Sequence, residues 1–277
     1  MKFRSQTKGL LKSLSQLGKG GEATVWMVES SRKRRFAVKK YFSHRALASP
    51  NKEIEVKRAI GKHPGLSLFI EEVLPVRGYD TCMLFKYYNQ GDLIETAIQL
   101  EGHDSDEYML RNGKVLWSGL AVLHKEGITH RDIKPENILW HRTDPNAPFS
   151  ASDDILSIGD FGCSSKLERM YGKYPTQTYC PPEALLTFGK KNSYDKSCDV
   201  WSLGATWLSV LTVGEIISRP GTTVSEEFMN GGYSYVKKHH PNFWNAISTA
   251  SQILLEASIV PTASDRATSQ EIAEMLN

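Results

Sequence analysis

The chain has 277 residues, 40% apolar and 23% charged, with 34 basic against 31 acidic residues and a formal net charge of +3. That length suits one large domain, or two lobes sharing a cleft, able to bury about three quarters of the unfolded surface. The composition excludes a disordered tail, and the near-balanced charge is too small to suggest a dedicated nucleic-acid binder. Cys82, Cys163, Cys180 and Cys198 are scattered without a Cys-x-x-Cys pair. They are expected to be reduced thiols of an intracellular protein, cytoplasmic or nuclear, and not a disulfide framework or a zinc site. Residues 1–10 are polar and basic with no apolar core, so no signal peptide is expected. No apolar run approaches the ~20 residues of a membrane span.

The first third mixes short β-rich runs (residues 23–28, 35–41 and 82–87) with one helical stretch over 52–60. Leu17-Gly18-Lys19-Gly20-Gly21-Glu22-Ala23-Thr24-Val25 follows a Gly-x-Gly-x-x-Gly-x-Val pattern with Ala23 at the third glycine. Glycines suit a backbone that turns tightly and approaches phosphate oxygens with no Cβ in the way. Taken alone, the run also fits a plain hairpin turn. The basic run Arg32 to Arg35 lies between two strands and reads as a solvated hairpin tip; a phosphate or nucleic-acid contact is the alternative. In Phe36-Ala37-Val38-Lys39-Lys40, strand alternation puts Ala37 and Lys39 on one face and Phe36, Val38 and Lys40 on the other. A small Ala37 beside Lys39 leaves room for a flat ring, and the ammonium can reach phosphates.

Lys39 needs a carboxylate to hold it, and Glu53 and Glu55 are the candidates. Helical spacing groups Glu53 with Val56 and Ile60, the packed face, whereas Glu55 shares a face with Ala59 and Lys62. Glu53 is therefore the expected partner. Beyond Gly91-Asp92 the pattern lengthens and becomes helical: 110–124 is amphipathic through Leu116, Leu120 and Leu123, and 201–211 is apolar nearly all round, as a buried central helix would be.

The most informative stretch is His130-Arg131-Asp132-Ile133-Lys134-Pro135-Glu136-Asn137, followed by Asp160-Phe161-Gly162. Asp132 is placed to accept the proton of a substrate hydroxyl, Lys134 to reach a transferring phosphate, and Asn137 and Asp160 to hold Mg²⁺ through hard oxygen donors. Between them, 138–140 and 155–158 suit adjacent strands. The intervening 141–154 is loop-like, with Pro145, Pro148 and Asn146, and reads as a surface insertion or a partner-docking segment.

In family order, these motifs resemble a eukaryotic-type protein kinase domain of the serine/threonine family. The resemblance covers nearly the whole chain and takes in Cys180-Pro181-Pro182-Glu183, Asp199-Val200-Trp201-Ser202-Leu203-Gly204 and Arg266 as well. It implies an α+β, bilobal fold: a small antiparallel β-sheet N-lobe with one regulatory helix, a larger mainly helical C-lobe, and an ATP cleft between them. The expected limits are an N-terminal extension over 1–13 and a kinase domain over 14–277, with N-lobe 14–85, hinge 86–91 and C-lobe 92–277. Gly18, Lys19, Gly20, Val25, Ala37, Lys39, Glu53, Phe85, Lys86, Tyr88 and Asp92 would serve ATP, with Phe85 as gatekeeper and backbone groups of Lys86 and Tyr88 on the adenine ring. Asp132, Lys134 and Lys39 would be catalytic, and Asn137 and Asp160 would hold the metal.

The resemblance also implies that Glu183 pairs with Arg266 and that Asp199 braces the catalytic-loop backbone. Lys134, together with Thr176 near Asp132, points to Ser/Thr acceptors on protein substrates, with no nucleic acid and no membrane segment as partner. Arg131 suggests ordering of the 163–176 segment by phosphate from an upstream activating kinase, with Ser164, Ser165, Tyr171, Tyr174 and Thr176 as candidates. Asp92 and Glu136 would favour a basic residue upstream of the acceptor. A catalytically silent scaffold, a small-molecule kinase and an RNA-binding protein are the competing readings.

Overall fold

A computed structural model describes residues 1–21, 23–42, 50–77, 81–100, 104–151, 153–170, 175–185, 193–217 and 225–276. It divides into two compact units. The first comprises Met1–His63, Ser67–Asn89 and Asp160–Cys163; the second comprises Pro64–Leu66, Gln90–Gly159 and Ser164–Asn277. The first is sheet-rich and the second mainly helical.

The first unit is built on six strands: β1 (Lys2–Ser5), β2 (Gly9–Lys19), β3 (Ala23–Ser30), β4 (Arg35–Tyr41), β5 (Glu71–Pro75) and β6 (Cys82–Lys86). All pairings are antiparallel, and the order β1-β2-β3-β4-β6-β5 closes into a barrel. Among the described residues of this unit, one α-helix, α1 (Pro50–Ile60), accompanies them. The barrel core is Phe3, Leu11, Val28, Phe36, Val38, Val73, Cys82 and Leu84. Residues 1–13, expected as an extension, supply β1, the start of β2 and two fully buried side chains, Phe3 and Leu11. At four residues β1 is too short for alternation to reveal it; pairing with β5, some seventy residues on, is what gives it a place.

Glu71 fastens the β1–β2 turn to the barrel. Its carboxylate accepts from the Ser5 hydroxyl (2.5 Å), the Thr7 hydroxyl (2.6 Å) and the backbone N–H groups of Gln6 and Thr7 (3.0 and 3.2 Å). Burial alone would push this carboxyl up, but the hydrogen bonds from Ser5, Thr7 and Gln6 outweigh it and hold the pKa below the ordinary value. The folded state thus binds the Glu71 proton less tightly than the unfolded chain. Its contribution is complete above the unfolded carboxyl value of about 4.3 and is lost as pH falls through the lower, folded value. Glu71→Ala is expected to cost roughly 1–2 kcal/mol locally. Amide exchange at Gln6 and Thr7 should accelerate in the variant, and in the wild type as pH drops below about 4 after correction for intrinsic rates. Unchanged protection of both amides would contradict this account of the turn.

The second unit contains α2 (Leu93–Gln99), α3 (Ser105–Asn112), α4 (Lys114–Lys125), α5 (Pro182–Leu185), α6 (Ser197–Leu211), α7 (Glu226–Gly231), α8 (Tyr233–His239), α9 (Pro241–Ala246), α10 (Thr249–Ser258) and α11 (Ser269–Met275), with a two-stranded ribbon of β7 (Ile138–His141) and β8 (Ile155–Ile158). As its unbroken apolar character dictates, α6 is the central helix: every residue from Cys198 to Leu211 is buried, with α2, α3 and α10 packed on it.

The single amphipathic stretch expected over 110–124 is two helices meeting at Gly113. A Cβ there would lie 2.6 Å from the Met109 carbonyl oxygen and 2.7 Å from the Trp207 ring, so the chain turns where only glycine fits. Leu116, Leu120 and Leu123 are fully buried on α4. The 141–154 insertion is partly ordered: Phe149–Ala151 forms a 3₁₀ turn, and Phe149 packs on Trp140 and Tyr108. No helix among the described residues is long and apolar enough to cross a membrane.

Candidate active site

In the first unit, the register of three strands assembles one face. Val25 pairs with Lys39 and Met27 with Ala37 across β3–β4; Ala37 pairs with Phe85 and Lys39 with Met83 across β4–β6. Alternation along β4 sends Phe36 and Val38 into the barrel core and leaves Ala37, Lys39 and Tyr41 together on the other face. The division expected from the sequence for residues 36–39 is the one observed.

Lys39 is the electrostatic centre of this face. Its ammonium lies 3.2 Å from Glu53 Oε1 and 2.6 Å from Asp160 Oδ1. Glu53, on α1, is 1% exposed, whereas Glu55 is exposed. The helical-face argument thus selected the residue that meets Lys39. Burial alone would pull the Lys39 ammonium down, but the carboxylates of Glu53 and Asp160 outweigh it and hold the pKa well above the ordinary lysine value. The lysine is therefore a permanent cation at neutral pH. Lys57, one turn along α1, donates to the Gly61 carbonyl (2.7 Å) and closes the helix end.

Asp160 has φ +59°, in the left-handed region. Such a conformation costs on the order of 1–3 kcal/mol in a non-glycine residue. Its carboxylate spans Lys39 and the Gly162 N–H (3.4 Å), and Phe161 is fully buried beside it.

In the second unit, Asp132, Lys134, Asn137 and Thr176 form one hydrogen-bonded group. The Thr176 hydroxyl donates to Asp132 Oδ1 (2.6 Å), and Lys134 Nζ donates to Thr176 Oγ1 (2.8 Å) and sits 3.1 Å from Asp132 Oδ2. Asn137 Nδ2 donates to the Asp132 carbonyl (2.7 Å) and to Asp132 Oδ2 (3.1 Å). With its nitrogen so engaged, the amide presents its oxygen away from Asp132. Asp160, its side chain 49% exposed, and Asn137, in the other unit, each carry a hard oxygen donor of the kind that Mg²⁺ accepts. No group of three His, Cys, Asp or Glu among the described residues could hold a metal by itself.

The backbone beneath Asp132 is held from α6. Asp199, completely buried, accepts from the His130 N–H (2.6 Å), the Arg131 N–H (2.8 Å) and His124 Nε2 (3.1 Å). Burial would raise this carboxyl, but the hydrogen bond and charge of His124 and the Arg131 N–H hold it below the ordinary range. His124 is fixed in turn by Ser269 at Nδ1 (2.9 Å). These bonds stabilise Arg131 at φ +73°, while the His130 ring accepts from the Asp132 N–H at Nδ1 (3.2 Å) and reaches the Gly159 carbonyl at Nε2 (2.9 Å). The Arg131 guanidinium donates twice to the Tyr194 hydroxyl (3.1 and 2.9 Å).

The remaining expected residues fall as follows. Gly18 and Lys19 end β2, and the Gly20 N–H donates to the Ala23 carbonyl, closing the glycine-rich turn. Phe85 and Lys86 end β6, and the Lys86 ammonium lies over the Tyr88 ring. Asp92 caps α2, accepting from the Ile94 and Glu95 N–H groups. Arg32 to Arg35 lie at the β3–β4 connection, with Lys33 paired to Glu29. Tyr171 and Tyr174 lie outside the described residues. Sequence reasoning missed Tyr41 and Tyr194. Alternation from Lys39 places Tyr41 on the same face; the Tyr194–Arg131 pair left no such signal.

A family model described as "Protein kinase domain" matches residues 11–276. Among curated proteins, the chain is similar to the ovarian-specific serine/threonine-protein kinase Lok of Drosophila melanogaster, 28% identical over 182 residues, covering 64% of this chain and 36% of that protein. It is also similar to ribosomal protein S6 kinase alpha-6 of Mus musculus, 27% identical over 231 residues (80% of this chain, 28% of that protein), and to ribosomal protein S6 kinase alpha-1 of Homo sapiens, 26% identical over 233 residues (81% and 29%). The chain spans about a third of the length of these relatives.

Proposed function

The chain belongs to the protein kinase domain family, and from that premise we propose that it is a serine/threonine protein kinase, transferring the γ-phosphoryl group of ATP, with Mg²⁺, to Ser and Thr hydroxyls of protein substrates. The observation that carries the reading is the group of Asp132, Lys134, Asn137 and Thr176, in which a carboxylate is oriented by three donors. No packing requirement calls for such an arrangement. In this reading the N-lobe ends at about residue 85 and takes in β1 and the start of β2, the hinge is 86–91 and the C-lobe 92–277.

The division of labour follows from the chemistry of each group. Val25, Ala37 and Phe85 offer an apolar surface to the adenine ring, with backbone groups of Lys86 and Tyr88 as its polar partners. Gly18, Lys19 and Gly20 follow the phosphates with backbone, and the Lys39 ammonium, fixed by Glu53, orients them. When bound, Mg²⁺ neutralises charge on the phosphate oxygens, held through Asp160 and Asn137. Asp132 directs the incoming hydroxyl and takes its proton, and Lys134 offsets charge on the group in transfer. The hydrogen bonds that Thr176 accepts from Lys134 and donates to Asp132 support a Ser/Thr acceptor.

The test is transfer from γ-labelled ATP, with Mg²⁺, to a degenerate peptide pool, followed by phosphoamino-acid analysis. Label on serine and threonine is expected. Label on tyrosine, or none despite Mg²⁺-dependent ATP binding, would overturn the assignment, the latter in favour of a nucleotide-binding scaffold. Exchanging Lys39 for Met is expected to raise the Kd for Mg-ATP at least tenfold, measured calorimetrically, since a charge-assisted phosphate contact is lost.

A further inference from the structure

Tyr41 is the one buried polar side chain on the Lys39 face of β4 to which the proposed reaction gives no part. It is 4% exposed, and its hydroxyl lies 3.4 Å from Glu53 Oε1, the same oxygen that Lys39 uses, and 3.9 Å from Met83 Sδ. Its ring lies under the ammonium, with Lys39 Nζ 5.2 Å from the centroid. One side chain thus touches both members of a buried ion pair, the anion through its hydroxyl and the cation through its π face. Burial and the neighbouring Glu53 carboxylate push the phenol well above its ordinary pKa, so it stays neutral and acts as a donor.

Packing does not explain the hydroxyl. The ring sits in a cluster with Ala23, Phe69, Met83 and Phe85, which phenylalanine would fill equally well. A phenol oxygen brought into such surroundings costs free energy unless it is bonded, and among these neighbours the Glu53 carboxylate is the strong acceptor. The cluster also gives a use to the alanine at the third glycine position: Ala23 pairs with Tyr41 across β3–β4, and its methyl packs against the ring where glycine would leave a gap.

We propose that Tyr41 is a positioning residue for the nucleotide phosphates, holding Glu53 and the Lys39 ammonium in one fixed arrangement. The proposal rests on the phosphate-orienting role assigned to Lys39, so its test needs one readout that depends on that role and one that does not.

The first readout is the KM for ATP against the KM for peptide in Tyr41→Phe and Tyr41→Leu. Tyr41→Phe is expected to raise the KM for ATP roughly fivefold with the peptide KM unchanged, and Tyr41→Leu, which removes the ring as well, more than tenfold. The second is trace acylation of lysines read by mass spectrometry across pH, with no nucleotide present. Lys39 should label several-fold faster in Tyr41→Phe than in wild type, while Lys40, its neighbour on the opposite face, does not change. Equal acylation of Lys39 in all three proteins would overturn the proposal. So would parallel acceleration of Lys39 and Lys40, which marks general loosening. If Lys39 labelling responds as expected but wild type transfers no phosphate, the positioning stands and the kinase reading fails.

Discussion

Asp132→Asn is expected to lower phosphoryl transfer about 10²- to 10⁴-fold, the range typical of losing a positioned general base. Asparagine keeps the shape of the side chain, and its Oδ1 can still accept from the Thr176 hydroxyl, so the local fold should persist. Three things are lost: the ability to take a proton, the negative charge that Lys134 Nζ meets at 3.1 Å, and the Oδ2 acceptor to which Asn137 Nδ2 donates at 3.1 Å. Affinity for Mg-ATP should stay within about twofold of wild type, because the nucleotide contacts are assigned to other residues. The check is kcat and Mg-ATP Kd measured on the same preparation. A variant retaining a tenth or more of wild-type kcat would show that Asp132 is not the base, whatever the fate of binding.

The largest expected stability effect comes from Arg266→Ala. The Arg266 guanidinium is fully buried and makes five hydrogen bonds: a two-point contact with Glu183 (2.7 and 2.8 Å), and bonds to the carbonyls of Val260, Ser197 and Pro261. It also lies 5.3 Å from the Trp201 ring centroid on α6. Removing it strips the Glu183 carboxylate of its two-point partner and takes a donor from three carbonyls, a loss on the order of 3–5 kcal/mol. Set against a total stability of about 5–15 kcal/mol, that is a large fraction. In a domain of this size the melting temperature should fall by roughly 10 °C. Arg266→Lys should recover little, since one ammonium cannot replace a planar fork. Calorimetry decides the point: a shift below about 3 °C for Arg266→Ala would mean that the pair is structurally dispensable.

Much of the candidate site was legible in the sequence because it depends on local geometry. Strand alternation alone puts Ala37 and Lys39 on one face of β4, and helical spacing alone separates Glu53 from Glu55. The short span from Arg131 to Asn137 lets one loop gather Asp132, Lys134 and Asn137. Features set by distant pairing were hidden. The strand β1 owes its place to β2 and β5, and its single buried apolar residue, Phe3, gives no pattern to read. The break at Gly113 is imposed by Trp207, almost a hundred residues away, while the flanking apolar spacing runs through it unbroken. Asp160–Cys163 groups with the sheet-rich unit although the intervening residues Gln90–Gly159 belong to the other. Tyr41 is a different case: its face was predictable, but its meaning came only when Glu53 proved to carry a second contact.

The proposed reaction couples ATP cleavage to a protein hydroxyl as acceptor. One single-turnover experiment tests this most directly: wild type with Mg-ATP and a serine peptide, quenched over time, with ADP and phosphopeptide quantified in the same samples. The account predicts equal amounts of both at every time point, and little ADP when the serine is replaced by alanine. ADP formed without phosphopeptide, or at the same rate with the alanine peptide, would contradict it.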